Sequence, residues 1–93
     1  MKSTVTISIG NSDDKLTQSQ WAYFCNRIDY LCSFYSNIHF YGFTSPDSIY
    51  QSATWVIEIE EDRLGLFKTQ IVTTRKEYRQ DSVAFTVGQT QFI

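Results

Sequence analysis

Long apolar runs and targeting signals are missing from this sequence. No stretch approaches the roughly 18 consecutive apolar residues of a membrane-spanning helix. Met1 to Thr6 lack the apolar core of a signal peptide. We therefore expect a cytoplasmic protein that does not contact a membrane. Proline occurs only once, and 42% of the 93 residues are hydrophobic, which excludes a disordered chain and predicts one globular domain over residues 1–93.

Residues that bind metals are also scarce. His39 is the only histidine, and the two cysteines, Cys25 and Cys32, are seven residues apart within a predicted helix. At about 1.5 Å per residue their Cα atoms lie about 10 Å apart, whereas a disulfide needs about 4.4–6.8 Å. We predict two buried free thiols on the apolar face of that helix, no metal site and no cofactor.

Charge of one sign is not in excess. Eight Lys and Arg against ten Asp and Glu give a net charge of −2. A nucleic-acid-binding domain usually carries a basic stripe. Here only Arg75, Lys76 and Arg79 cluster, and cations are favourable near the C-terminal end of a helix. The charge pattern therefore argues against a nucleic-acid partner.

The strongest pattern in the sequence is an amphipathic helix from Leu16 to Ser36. Thr17 and Gln20 fit a capping box, in which each side chain satisfies a backbone donor of the first turn. Apolar residues recur at spacings of three and four, which is the period of one helix face. The residues of this predicted core face are Trp21, Phe24, Cys25, Ile28, Leu31, Cys32 and Tyr35.

A second row of residues follows helical spacing on the opposite flank of the same helix. We call Tyr23, Arg27, Tyr30 and Phe34 the aromatic row. A solvent face normally carries Lys and Glu, whereas Tyr and Arg together are typical of interface anchors. We predict a protein-binding surface here. The alternative is an outer flank that the second helix or the end of the chain partly covers.

Period-two alternation predicts strands at residues 3–9, 38–43, 53–60 and 82–87, with 89–93 as a short edge continuation. Residues 61–80 fit a helix, with acidic residues at its start and basic residues at its end. Gly65 and the run Ile71 to Thr74 favour instead a strand from Leu66 to Thr73. With a helix, the order βαββαβ closes as a ferredoxin-like fold. This is a four-stranded antiparallel sheet in the order 4-1-3-2 with two helices on one face.

The same topology brings three polar loops to one edge of the sheet. This polar-loop cluster contains Asn11, Asp13, Asp14, Lys15, Asp47, Arg79 and Asp81. Converging carboxylates can bind a divalent ion, and carboxylates mixed with Lys and Arg can form a surface salt-bridge network. No spacing matches a known metal motif, so we predict the salt-bridge network.

The second strand carries a further candidate surface. Alternation places Ile38 and Phe40 on one face, and it places His39, Tyr41 and Phe43 on the face away from the helices. We predict that His39, Tyr41 and Phe43 belong to an interface, with His39 exposed or buried in a dimer. Aromatic residues on an open sheet can stack bases, but the central strands offer mainly Thr and Ser, and Glu58 would repel phosphates.

Together these observations predict a small non-catalytic protein-interaction module that binds another protein and could form a homodimer. A lone domain without a motif would suit a regulator or inhibitor, including one encoded by a mobile element. The alternative function is a Mg²⁺-dependent enzyme or small-ligand binder that uses the polar-loop cluster. A second alternative is single-stranded nucleic-acid binding on the open sheet face. The sequence assigns no catalytic residue.

Overall fold

Alternating strand patterns and two amphipathic helices produce the order βαββαβ in a computed structural model, which describes residues 1–11, 15–45 and 50–93. The strands pair in the order β2-β3-β1-β4, and all three pairings are antiparallel. The predicted ferredoxin-like fold is therefore confirmed. The elements are β1 (Lys2–Gly10), α1 (Gln18–Tyr35), β2 (Asn37–Phe43), β3 (Ser52–Glu60), α2 (Glu61–Glu77) and β4 (Ala84–Gly88).

The core lies between the sheet and the two helices. Alternate residues of β1 and β3 are buried, because one face of each strand meets the helices and the other face does not. From α1 the buried residues are Phe24, Ile28, Leu31 and Cys32, as the core face predicts, and Thr17 and Gln20 form the predicted capping box. The helices and strands share one continuous cluster of buried apolar side chains.

Residues 61–77 form a helix, so the alternative strand is excluded. The β-branched Ile71 is buried in the core, and three Thr hydroxyls of this helix donate to backbone carbonyls one turn earlier. These bonds join Thr69 to Gly65, Thr73 to Thr69 and Thr74 to Gln70, at 3.1, 3.0 and 2.9 Å. Acidic residues occupy the first turn and basic residues the last, as predicted from the helix dipole.

The face assignment predicted for Phe40, Tyr41 and Phe43 is wrong, because β2 contains a bulge. Ile38 pairs with Ile57, but the next paired residue is Phe40, which is opposite Val56. His39 is therefore an extra residue, and every side chain after it changes face. Tyr41 and Phe43 pair with buried residues of β3 and lie on the helix side. Phe40 lies on the open face instead.

The end of the chain also differs from the prediction. The last strand begins at Ala84 instead of Ser82, and residues 89–93 form no strand. We call residues 89–93 the end segment. Its Phe92 and Ile93 are 88% and 117% exposed relative to the reference state. A contact between the hydroxyls of Thr4 and Thr90 places the start of this segment on the open side of the sheet.

Candidate functional site

The aromatic row lies open to solvent along α1. Tyr23, Tyr30 and Phe34 are 65%, 60% and 57% exposed. The rings of Tyr30 and Phe34 stack with their centroids 6.1 Å apart. Arg63 of α2 contacts the row at Phe34, near the C-terminal end of α1. Its guanidinium lies 6.0 Å from the centroid of the Phe34 ring and donates to the Phe34 carbonyl at 3.3 Å. The row is thus an exposed aromatic surface in which two rings stack and Arg63 contacts one of them.

Arg27 supplies the charge of the aromatic row. It is exposed, and it has no ion-pair partner among the residues that the structure describes. Together with Tyr23, Tyr30 and Tyr78 it surrounds an open depression of about 610 Å³ between the two helices. The guanidinium therefore remains available to a carboxylate or an aromatic ring of a partner.

A narrower groove of about 320 Å³ separates α1 from the edge strand β2. Sequence reasoning missed it, because the bulge at His39 is what turns Tyr41 and Phe43 toward the helix. At one end of the groove the side-chain amides of Gln18 and Gln51 hydrogen bond to each other at 2.8 and 3.3 Å. We call it the edge groove, and its described lining is Gln18, Trp21, Ala22, Cys25, Asn26, Tyr41, Phe43, Thr44 and Gln51.

The two cysteines differ in their surroundings. Both are free, but only Cys32 is buried, whereas Cys25 is partly exposed in the wall of the edge groove. The prediction of two buried thiols is therefore correct for Cys32 and wrong for Cys25. Desolvation raises the pKa of the Cys25 thiol to about 11. Desolvation, with a smaller contribution from the carboxylate of Asp29, raises the pKa of Cys32 to about 12.

Asp29 is positioned by the core. The indole N–H of Trp55 donates to its Oδ1 at 2.9 Å, and the Trp55 ring stacks on Tyr41 with centroids 4.8 Å apart. Burial raises the pKa of the Tyr41 hydroxyl, and the negative charges that Cys25 and Asp29 can carry raise it further. The helical periodicity identifies Asp29 only as a charged residue of α1. Its hydrogen bond with Trp55 could therefore not be predicted from the sequence.

The polar-loop cluster is brought together in part. Asn11 is buried, and its amide donates to Leu16 O and to Gln51 Oε1, each at 3.0 Å, so it joins two of the loops. Lys15 Nζ lies 3.0 Å from Asp81 Oδ2, an ion pair that joins the first loop to the third. Asn11 therefore has a structural role in this cluster.

Of the remaining members of the polar-loop cluster, the structure describes only Arg79. Arg79 has a left-handed backbone with φ of 57°, and its side chain makes no ion pair within the described ranges. Asp13, Asp14 and Asp47 lie outside the described residues. In residues 1–11, 15–45 and 50–93 no group of three His, Cys, Asp or Glu could hold a metal ion. The salt-bridge network of the polar-loop cluster stays a prediction, and a Mg²⁺ site stays its alternative.

The open face of the sheet carries polar and small side chains, with charged residues at one end. The side chains of β1 and β3 on this face are mainly Thr, Ser and Val, and the charges lie at one end, where Lys2 pairs with Glu58 at 3.6 Å. His39 is exposed at the bulge, and Phe40 on the edge strand is the aromatic residue that β2 contributes to this face. Bases would thus meet no aromatic platform on the central strands.

Comparison with solved structures finds a protein of the same fold. No protein-family model and no curated protein matches the sequence. Among solved structures, the chain is similar to a dimeric ferredoxin-like protein of unknown function from Thermobifida fusca YX. The match covers 96% of this chain and 92% of the other, with a TM-score of 0.59 and 12% sequence identity. None of the described helices is long and apolar enough to cross a membrane. At this identity, the likeness shows a shared ferredoxin-like fold.

Proposed function

We propose that this chain is a non-catalytic protein-interaction module whose partner protein binds the aromatic row of α1. The observation that carries the proposal is the exposure of Tyr23, Tyr30 and Phe34, which are each more than half accessible. Aromatic side chains with an adjacent arginine are enriched at the centres of interfaces, because they bury a large area and lose few rotatable bonds.

The size of the surface supports this proposal. A fully buried aromatic side chain removes about 150–250 Å² from water. At the observed exposures, the three rings would bury about 300–450 Å². One partner contributes about 800 Å² to a standard interface. The aromatic row is therefore large enough for the centre of an interface, and Arg27 adds a charged contact to it.

We also propose that the module is a homodimer. The structurally similar protein of the same fold is described as dimeric. Two copies would present two aromatic rows, so a partner with two binding sites would bind the dimer more tightly than it would bind a single row. A regulatory or inhibitory role would follow if the partner protein is an enzyme or a transcription factor whose own site is covered on binding.

Affinity capture from the source cells tests the role of the aromatic row. The tagged wild-type chain should retain a discrete partner, and Tyr30→Ala with Phe34→Ala should lose at least nine-tenths of it, because both anchors are removed. Leu66→Ala is the matched control, since Leu66 lies on α2 and is 56% exposed. The control should retain the partner. Equal capture by all three proteins would contradict the proposal, provided that circular dichroism shows the fold unchanged.

A further inference from the structure

Helix α1 carries two charged residues, and their surroundings are opposite. Asp29 is half-buried, and its Oδ1 accepts the indole N–H of Trp55 at 2.9 Å, so this carboxylate is bound to the sheet. Arg27 is exposed in the aromatic row and forms no ion pair with any carboxylate of the described ranges. The aromatic row therefore carries an uncompensated positive charge, although the chain as a whole has a net charge of −2.

The open depression beside Arg27 is lined by groups that can donate hydrogen bonds. Tyr23, Tyr30 and Tyr78 contribute phenol rings, and Asn26 contributes an amide. Within the described part of the chain, the side chains of these four residues make no hydrogen bond. A guanidinium only donates, whereas a phenol or an amide can donate as well as accept. The depression thus offers several donors, and its described lining contains no carboxylate.

A carboxylate is the group that matches these donors. It accepts through two oxygens, and a planar guanidinium can donate to both of them at once. A phosphate dianion is instead typically bound by a cluster of arginines, whereas Arg27 is the only cationic residue in the described lining. The stacked rings of Tyr30 and Phe34 lie in the same row and offer an apolar contact to the same segment of a partner. The charge and the shape therefore fit one acidic side chain beside an apolar one.

We propose that the partner protein places an aspartate or glutamate side chain in this depression. Its carboxylate pairs with Arg27, and a neighbouring apolar residue packs on Tyr30 and Phe34. The inference rests on the protein-binding role proposed above for the aromatic row, and it specifies the chemistry of the segment that binds there. The rings supply contact area, whereas Arg27 selects for a negative charge, because a guanidinium that is desolvated without an anion is costly.

Selection of random peptides displayed on phage, with the full chain as bait, tests this inference. The wild type should enrich peptides with an Asp or Glu beside an apolar residue, and Tyr30→Ala with Phe34→Ala should not retain them. In a synthetic peptide, replacing the acidic residue by its amide should weaken binding to the wild type about tenfold. The same replacement should not change binding to Arg27→Gln, because the ion pair is already absent.

Lys68→Gln is the matched control, since it removes the same charge from the flank of α2 where Lys68 Nζ lies over the Phe85 ring. It should bind as the wild type does. Peptides that need Tyr30 and Phe34 but bind Arg27→Gln and the wild type equally would overturn the carboxylate inference and leave the proposed function intact. If no selected peptide depends on the two rings, both fail.

Two further outcomes would overturn the inference alone. Tighter binding of peptides in which phosphoserine replaces the acidic residue would assign the depression to a phosphate. A dimer of the wild type that Arg27→Gln dissociates would assign the carboxylate to a second copy of the chain.

Discussion

Three side-chain hydrogen bonds tie the buried Asn11, which follows β1, to Leu16 and Gln51. Its amide nitrogen donates to Leu16 O and to Gln51 Oε1, and its Oδ1 accepts from the backbone N–H of Leu16, all at 3.0 Å. Polar residues that converge at one edge of a sheet can resemble a functional site. The burial of Asn11 shows that part of this convergence serves to hold the scaffold together.

Replacing Asn11 therefore gives a direct test of this structural role. Asn11→Ala should lower the free energy of unfolding by about 1–3 kcal/mol, because it leaves buried backbone groups of Leu16 without a partner. Urea denaturation measures the change. Lys15→Ala is the matched control from the same loop, and it should cost less than about 1 kcal/mol, because its ion pair with Asp81 is on the surface. Equal stability of Asn11→Ala and wild type would refute the assignment.

The two cysteines give a second test at the residue scale. In the folded protein iodoacetamide should modify Cys25, which is partly exposed, while buried Cys32 should react only after unfolding. Because burial raises the pKa of Cys25 to about 11, the reactive thiolate is a minor species at pH 8. The rate should rise about tenfold per pH unit up to about pH 11. A plateau near pH 9 would mean that the thiol is not desolvated.

At the scale of the element, helix α1 has two faces with different surroundings. Its core face packs on the sheet, and its aromatic row faces solvent. Ile28 lies at the centre of the core face and is fully buried, whereas Arg27 next to it is exposed. The separation of the faces allows each to be altered without the other.

Ile28→Ala should lower the free energy of unfolding by about 2–5 kcal/mol, as expected when a buried side chain is truncated and a cavity remains. Arg27→Ala is the matched exposed control and should change it by less than about 0.5 kcal/mol. Chemical denaturation followed by circular dichroism measures both. An unchanged midpoint for Ile28→Ala would show that the other face of α1 is inward.

Local patterns predict most of these elements, because period and capping are properties of neighbouring residues. The core face of α1, its capping box and the alternation in β1 and β3 are all visible in this way. The bulge at His39 is not visible in this way. Apolar and aromatic residues occur at both alternating positions of β2, so its sequence fits either register equally well. The edge groove and the bond from Trp55 to Asp29 depend on contacts distant in sequence, so they follow only from the fold.

On the scale of the whole molecule, the described surface divides into regions of different chemistry. One helix face is aromatic, the edge strand β2 borders the edge groove, and the open sheet face carries its charged side chains at one end. The ion pairs of the described residues lie at the ends of the sheet, such as Lys2 with Glu58 and Lys15 with Asp81. The described lining of the edge groove contains no charged side chain, whereas the aromatic row includes the exposed Arg27.

The central claim is that the aromatic row is a protein-binding surface, and photo-crosslinking in the source cells tests it most directly. Benzoylphenylalanine placed at position 30 should form one discrete adduct with another protein on irradiation, because Tyr30 lies in the middle of the row. The same probe at position 66 on α2 should form none. An identical pattern of adducts from both positions, or no adduct at position 30 when the protein is folded and abundant, would contradict the account.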